Sequence, residues 1–227
     1  MNKKLGIIAC FLLSFIGGFF DLYSIIFRGG KFTFMQTGNL INIGNDIINK
    51  NYAGIILGIF ILVTFIIGII YAFIVEFYFK KYHKEKYIRS FLIISMIILI
   101  IPNCFFNKTE TLDISSIALF GLSISGGILL ESFRNYGISF TSTMMTNNIK
   151  IGTHALFEGI FYKNKTELFK SFFYLGVVIS FLMGVITLAL ISLANINLMY
   201  APFLGILIYF LVLIIEFKMI KMSKNLN

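Results

Sequence analysis

The chain has 227 residues, of which 58% are hydrophobic and 13% charged, with 27 phenylalanines, two prolines and a mean hydropathy of +0.91. That balance excludes a soluble, loop-rich fold and describes a protein that crosses the bilayer several times. The net charge of +9 raises nucleic acid as a partner. The lysines, however, fall in short clusters between apolar runs, and no basic stripe with interleaved aromatics occurs, so that class is set aside.

Lys3-Lys4 and the apolar run Leu5 to Phe27 imitate a signal peptide. No small-x-small cleavage pattern follows, and the run continues through Gly17-Gly18 and Asp21, so it reads as a retained first span. A polar, glycine-rich stretch from Arg28 to Gly44 comes next. The second run, Tyr52 to Phe79, is the longest and ends in the basic cluster Lys80 to Lys86, a topology anchor. The third, Ser90 to Phe106, is short and closes at Pro102-Asn103. The fourth covers Ile114 to Phe133 and is followed by a second polar stretch, Asn135 to Gly152. The fifth is Leu168 to Leu193 and the sixth Leu198 to Phe217, with a short solvated tail from Lys221. About 20 helical residues cross the hydrocarbon core, so the third run is marginal and the other five suffice. Helices pair all their backbone groups internally, and alternation is too weak for a β-barrel.

With the N-terminus inside, 15 of the 19 Lys/Arg fall on the cytoplasmic side, and only Arg28, Lys31, Lys50 and Lys108 lie opposite. The bias predicts a multi-pass protein of the cytoplasmic membrane with both termini in the cytoplasm.

Shifting the first half by 109 residues lays Gly17-Gly18 on Gly126-Gly127, Met35 on Met144, Thr37 on Thr146 and Asn39 on Asn148. A shift of 108 pairs Gly29 with Gly137 and Ile43-Gly44 with Ile151-Gly152, and Gly58 and Gly68 find partners in Gly176 and Gly184. Co-linear matches of this kind read as a duplication. Three spans per half force the halves into opposite orientations. The expectation is an all-α polytopic membrane protein, one membrane domain over residues 1–227. Its six transmembrane helices form two inverted three-helix repeats, 1–106 and 114–217, each with a polar, glycine-containing break after its first helix. Paired breaks of this type point to a secondary transporter with a midplane site.

Among intramembrane polar residues Asp21 is the most informative, with no basic residue within a helical turn. A carboxylate so placed faces the bundle interior or a water-filled path, which makes it a candidate for binding substrate or coupling a proton. Its structural role would be a hydrogen bond to the break, at Thr33, Thr37 or Asn39. Glu131 pairs at i,i+3 with Arg134, and Glu76 and Glu216 close their spans beside Lys80 and Lys218 as interfacial pairs. His83 and His154 have no metal-ligand partners in sequence, and Cys10 and Cys104 read as packing residues. The glycine pairs suit close helix crossings in lipid. No catalytic or nucleotide-binding motif occurs, so no enzyme, metal or cofactor is expected.

Gly18-Phe19-Phe20-Asp21 followed by Phe34-Met35-Gln36-Thr37-Gly38-Asn39 resembles the YoaK-like family (domain of unknown function 1275) of bacterial membrane proteins. Those proteins carry Gly-x-x-Asp in the first span and an aromatic-x-x-Thr-Gly-Asn motif after it. The resemblance implies a six-span integral membrane protein without an established substrate. The second half departs from it. Gly127-Ile128-Leu129-Leu130 stands where the family has Gly-x-Gln-Asn, and Thr146-Asn147-Asn148 where it has Thr-Gly-Asn. The functional expectation is a small-molecule secondary transporter, with Asp21, Thr37, Gly38, Asn39, Thr146 and Asn148 as candidate substrate-binding residues and Asp21 as candidate coupling carboxylate. Exposed helix N-termini at the breaks would favour an anionic substrate. Six spans allow a homodimer. The alternative is a non-transporting membrane protein with a structural or sensory role.

Overall fold

The computed structural model describes residues 3–106, 116–133 and 145–224. Among them there are helices and no strands. They are α1 (Lys3–Phe27), α2 (Gln36–Ile48), α3 (Tyr52–Lys81), α4 (Ile88–Ile100), α5 (Ser116–Ser132), α6 (Met145–Phe161), α7 (Lys165–Leu193) and α8 (Ala201–Lys224). The two polar stretches therefore each contribute a helix, α2 and α6, where the sequence pattern suggests only breaks. Both helices are amphipathic, and each turns tightly into the long helix that follows.

Five stretches are long and apolar enough to span a membrane: α1, α3, α7, α8 and the segment Glu85–Cys104 around α4. The third run, marginal by its apolar length, reaches 20 residues because 3₁₀ turns, Glu85–Tyr87 and Ile101–Cys104, extend the 13-residue α4 at both ends. Pro102 lacks the N–H that would continue an α-helix, and the chain tightens there. Instead α5 is the short one at 17 described residues. It is also among the most buried, so protein surrounds it where the peripheral helices meet lipid. α3 and α7 expose large apolar side chains such as Phe73, Phe172, Ile179 and Leu190, as a hydrocarbon-facing surface does.

The core is built on two crossings. α1 lies parallel to α7 and α3 parallel to α5, and both pairs are in intimate backbone contact. A Cβ on Gly18 would lie 2.1 Å from the Phe181 carbonyl oxygen, and one on Gly184 would lie 2.0 Å from that of Phe15. In the second pair, a Cβ on Gly127 would lie 2.1 Å from the Phe65 oxygen and one on Gly68 2.1 Å from the Ile124 oxygen. Ser14 Oγ donates to Val177 O at 2.9 Å, and Ser123 Oγ to Ile61 O at 2.8 Å. In lipid, small residues and short hydroxyl bridges hold helices together where no hydrophobic effect drives them. α1 ends where α5 begins: Arg28 reaches Asn103, whose Nδ2 donates to Ala118 O at 2.9 Å. α1 and α5 therefore run in opposite directions.

Candidate functional site

After Phe27 the chain reverses through Gly29 and Gly30, both at positive φ (76° and 73°), a conformation that side-chain-bearing residues rarely adopt. It then folds back along α1. Asp21, six residues or about 9 Å before the helix end, accepts from Thr33 N–H at 3.0 Å and Phe34 N–H at 2.8 Å, both on Oδ1. Asp21 is 3% exposed, and its Oδ2 is buried without a hydrogen-bond partner among the described residues. The same segment touches α5, because a Cβ on Gly126 would lie 2.4 Å from Thr33 O and 3.3 Å from the Phe65 ring. Phe65 lies roughly halfway along the 30-residue α3. The first polar stretch therefore dips to the middle of the bundle before α2 climbs out again.

The motif residues Phe32 to Asn39 stabilise this re-entry. Asn39, fully buried, accepts from Phe32 N–H at 2.9 Å and donates through Nδ2 to Phe32 O at 2.6 Å and Gln36 Oε1 at 2.9 Å. Gln36 Nε2 donates to Thr33 O at 3.2 Å. The Phe32 ring covers Gly38, where a Cβ would lie 2.5 Å from it. Non-helical backbone at this depth must find internal partners, and these side chains provide them.

The six candidate residues are thus not brought together into one cluster. Asp21, Gly38 and Asn39 surround the first re-entrant segment, with Asp21 bonded to the backbone at Thr33 and Phe34 and not to Thr37 or Asn39. Thr37 is exposed on the outer side of α2. In α6, Thr146 and Asn148 take the second and fourth helical positions, as Thr37 and Asn39 do in α2. Here too the threonine is exposed and the asparagine fully buried. The segment leading into α6, with Gly137 and Met144, lies outside the described residues, as does Arg134, the expected partner of Glu131. At the first break, Asp21 takes the N–H groups of Thr33 and Phe34, which lie just before α2.

Sequence reasoning passed over three features. Arg28, fully buried, donates from Nε to Tyr23 OH at 3.2 Å and Asn103 Oδ1 at 3.1 Å, and from Nη2 to Asn103 O and Phe106 O, both at 2.9 Å. Its guanidinium also lies 4.9 Å from the Phe27 ring centroid. It locks the end of α1 to the carbonyls that close the third span. Lys31 forms a buried ion pair with Asp46 at 2.5 Å, and Asn51 Nδ2 donates to Asp46 Oδ1 at 2.9 Å. A lysine and an aspartate 15 residues apart carry no local pairing signal. At the lysine-rich end a cavity of about 550 Å³ is lined by Glu76 (α3), Arg89 (α4), Glu131 and Ser132 (α5) and Glu216 (α8). Glu76 pairs with Lys80 as expected. Glu216 is no interfacial partner of Lys218, since residues two apart point different ways on a helix; it is 3% exposed and faces the cavity. Among the described residues His154 makes only an exposed contact with Glu158, and both cysteines are buried and free.

These features lie within a recognised family. The chain belongs to the DUF1275 family. The family model, described as a protein of unknown function, matches residues 9–215 and so takes in α2 to α7 whole and most of α1 and α8. Neither the curated proteins nor the solved structures offer a match. For this DUF1275 membrane protein, function has to be argued from the geometry itself.

Proposed function

We propose that the protein is a small-molecule secondary transporter made of two inverted three-helix halves. The observation that carries the reading is the equivalence of the two crossings. Ser14, Gly18, Val177 and Gly184 on α1 and α7 map onto Ser123, Gly127, Ile61 and Gly68 on α5 and α3, by shifts of 109 and 116 residues. Each crossing joins the first helix of one half to the second long helix of the other, and the two first helices run in opposite directions. Halves interlocked in this way can rock about a central site, which is how inverted-repeat transporters alternate access.

Two further features support it. The cavity at the lysine-rich end is walled by helices of both halves, α3 and α4 from one and α5 and α8 from the other. At the opposite end Arg28 fills the corresponding region with Tyr23 and Asn103. This is the arrangement of a state open on one side, the cytoplasmic side if the lysines follow the positive-inside rule. Asp21, buried at the middle depth with one carboxylate oxygen unengaged among the described residues, is the group we assign to proton coupling.

The test is reconstitution. Proteoliposomes carrying a pH gradient are screened for uptake against a metabolite panel, and the same panel is screened for thermal stabilisation. Uptake that follows the gradient and is lost in Asp21→Asn supports the assignment. Flux and stability indifferent to every solute, with single cysteines at Ser132 and Tyr23 keeping fixed accessibility throughout, would favour a non-transporting role.

A further inference from the structure

At the end of the bundle away from the lysine clusters lies a second cavity, of about 190 Å³. Its walls are the Gly29–Lys31 turn, the Asn42, Asn45 and Asp46 face of α2, Asn51, and Ala53, Gly54 and Leu57 at the start of α3. α3 presents glycine there, which lets the Asp46 carboxylate and the Asn51 amide pack against its backbone, since a Cβ on Gly54 would collide with both.

The donors and acceptors around this cavity do not balance. Lys31, 5% exposed, has three N–H donors, and Asp46 Oδ2 is the one acceptor that meets them among the described residues. Both Asp46 oxygens are engaged, by Lys31 and by Asn51. Asn51 Oδ1 accepts from Gly54 N–H. Asn45 uses only its Oδ1, accepting from Asn49, and Asn42 makes no side-chain bond to a described residue. Two N–H groups of the buried Lys31 ammonium are thus left to the cavity, with the half-buried Asn42 amide and the exposed Asn45 Nδ2 at its rim. A buried ammonium normally has its donors satisfied.

We infer that this cavity is a binding site for a small carboxylate, with Lys31 holding the charged group and Asn42 and Asn45 donating to its oxygens. The volume admits several waters or one small organic acid. The carboxylate can belong to a free solute or to the headgroup of a serine phospholipid. The site stands independently of the transport reading, because binding needs no second conformation.

The experiment uses the full chain in phosphatidylcholine nanodiscs with a reporter cysteine at the cavity wall, Ala53→Cys. Cys10 and Cys104 are buried, so maleimide reports on the new position. Sodium acetate, compared with chloride at equal ionic strength, should slow alkylation. Asn45→Ala, on the exposed rim, should weaken that protection roughly two- to tenfold, as loss of one hydrogen bond does, and Lys31→Met should remove it. Protection by acetate in phosphatidylcholine assigns a free solute. Protection that arises only when phosphatidylserine is included assigns the headgroup. Absence of protection in both, or protection unchanged in Asn45→Ala and Lys31→Met alike, overturns the site.

Discussion

Asn39 closes its side-chain amide over both sides of the Phe32 peptide, accepting the N–H and donating to the carbonyl. This is the bond pattern a neighbouring strand would supply, delivered by one side chain to a segment that has no strand beside it. Asn39→Ala leaves two buried backbone groups unpaired and should cost about 2–4 kcal/mol. Asn39→Asp keeps the size and loses the donor, placing oxygen against the Phe32 carbonyl and Gln36 Oε1. It should destabilise at least as much. Thermal melting in detergent tests both, and an Asn39→Asp protein as stable as the parent would remove the clamp from the account of the fold.

Asp21 can be probed without disturbing the fold. Oδ1 does the structural work at Thr33 and Phe34, while Oδ2 has no partner among the described residues. Asparagine retains the accepting oxygen and puts an amide where the idle oxygen was. Asp21→Asn should therefore melt near the parent, whereas Asp21→Ala, which strips both acceptors, should lose about 2–4 kcal/mol. If Asp21→Asn is stable yet loses gradient-driven uptake, the carboxylate has a role beyond capping the break. Equal destabilisation by both variants would mean that Oδ2 has a structural task after all.

Much of this is legible in the sequence, and the boundary has a physical origin. The long helices follow from apolar length, and the crossings are announced by Gly18, Gly127, Gly68 and Gly184, because backbone contact in lipid admits little else. Asp21 and Asn39 stand out because polar groups are rare at such depth. The Arg28 lock and the Lys31–Asp46 pair do not, since both join residues on different elements and carry no spacing rule. α2 and α6 read as breaks because their helical period is diluted by glycine and asparagine. Thr37 and Asn39 look equivalent as motif residues. Two positions apart on a helix, they point to opposite environments.

The glycines divide by what faces them. Gly184→Ala drives a methyl into the Phe15 carbonyl, which the parallel α1 backbone cannot yield without shifting. A loss of about 1–3 kcal/mol or more is expected, as for overpacking in a tight core, and Gly68→Ala should behave alike at the equivalent crossing. Gly44 on α2 has nothing within 4 Å of where an added methyl would sit, so Gly44→Ala should gain about 0.5–1 kcal/mol from helix propensity alone. Melting temperatures that fall for all three substitutions would mean that α2 packs against something the chain itself does not supply.

Arg28 tests whether the end opposite the lysine clusters is held shut by a specific lock. Its guanidinium donates from Nε and Nη2 to groups on α1 and on the turn that ends the third span. Lysine offers one charged point in place of that planar fork and cannot reach the same set together. Arg28→Lys should cost about 1.5–3 kcal/mol, the scale of a lost charge-assisted bond. Cys104 provides a native reporter, since it is 3% exposed and follows Asn103 directly. Its alkylation by maleimide should accelerate in Arg28→Lys while Cys10, at the other end of α1, stays protected. If Cys104 remains as slow as in the parent, packing rather than the arginine closes this end. Opening it would then have to involve the helices themselves, and the transport reading would need a different gate.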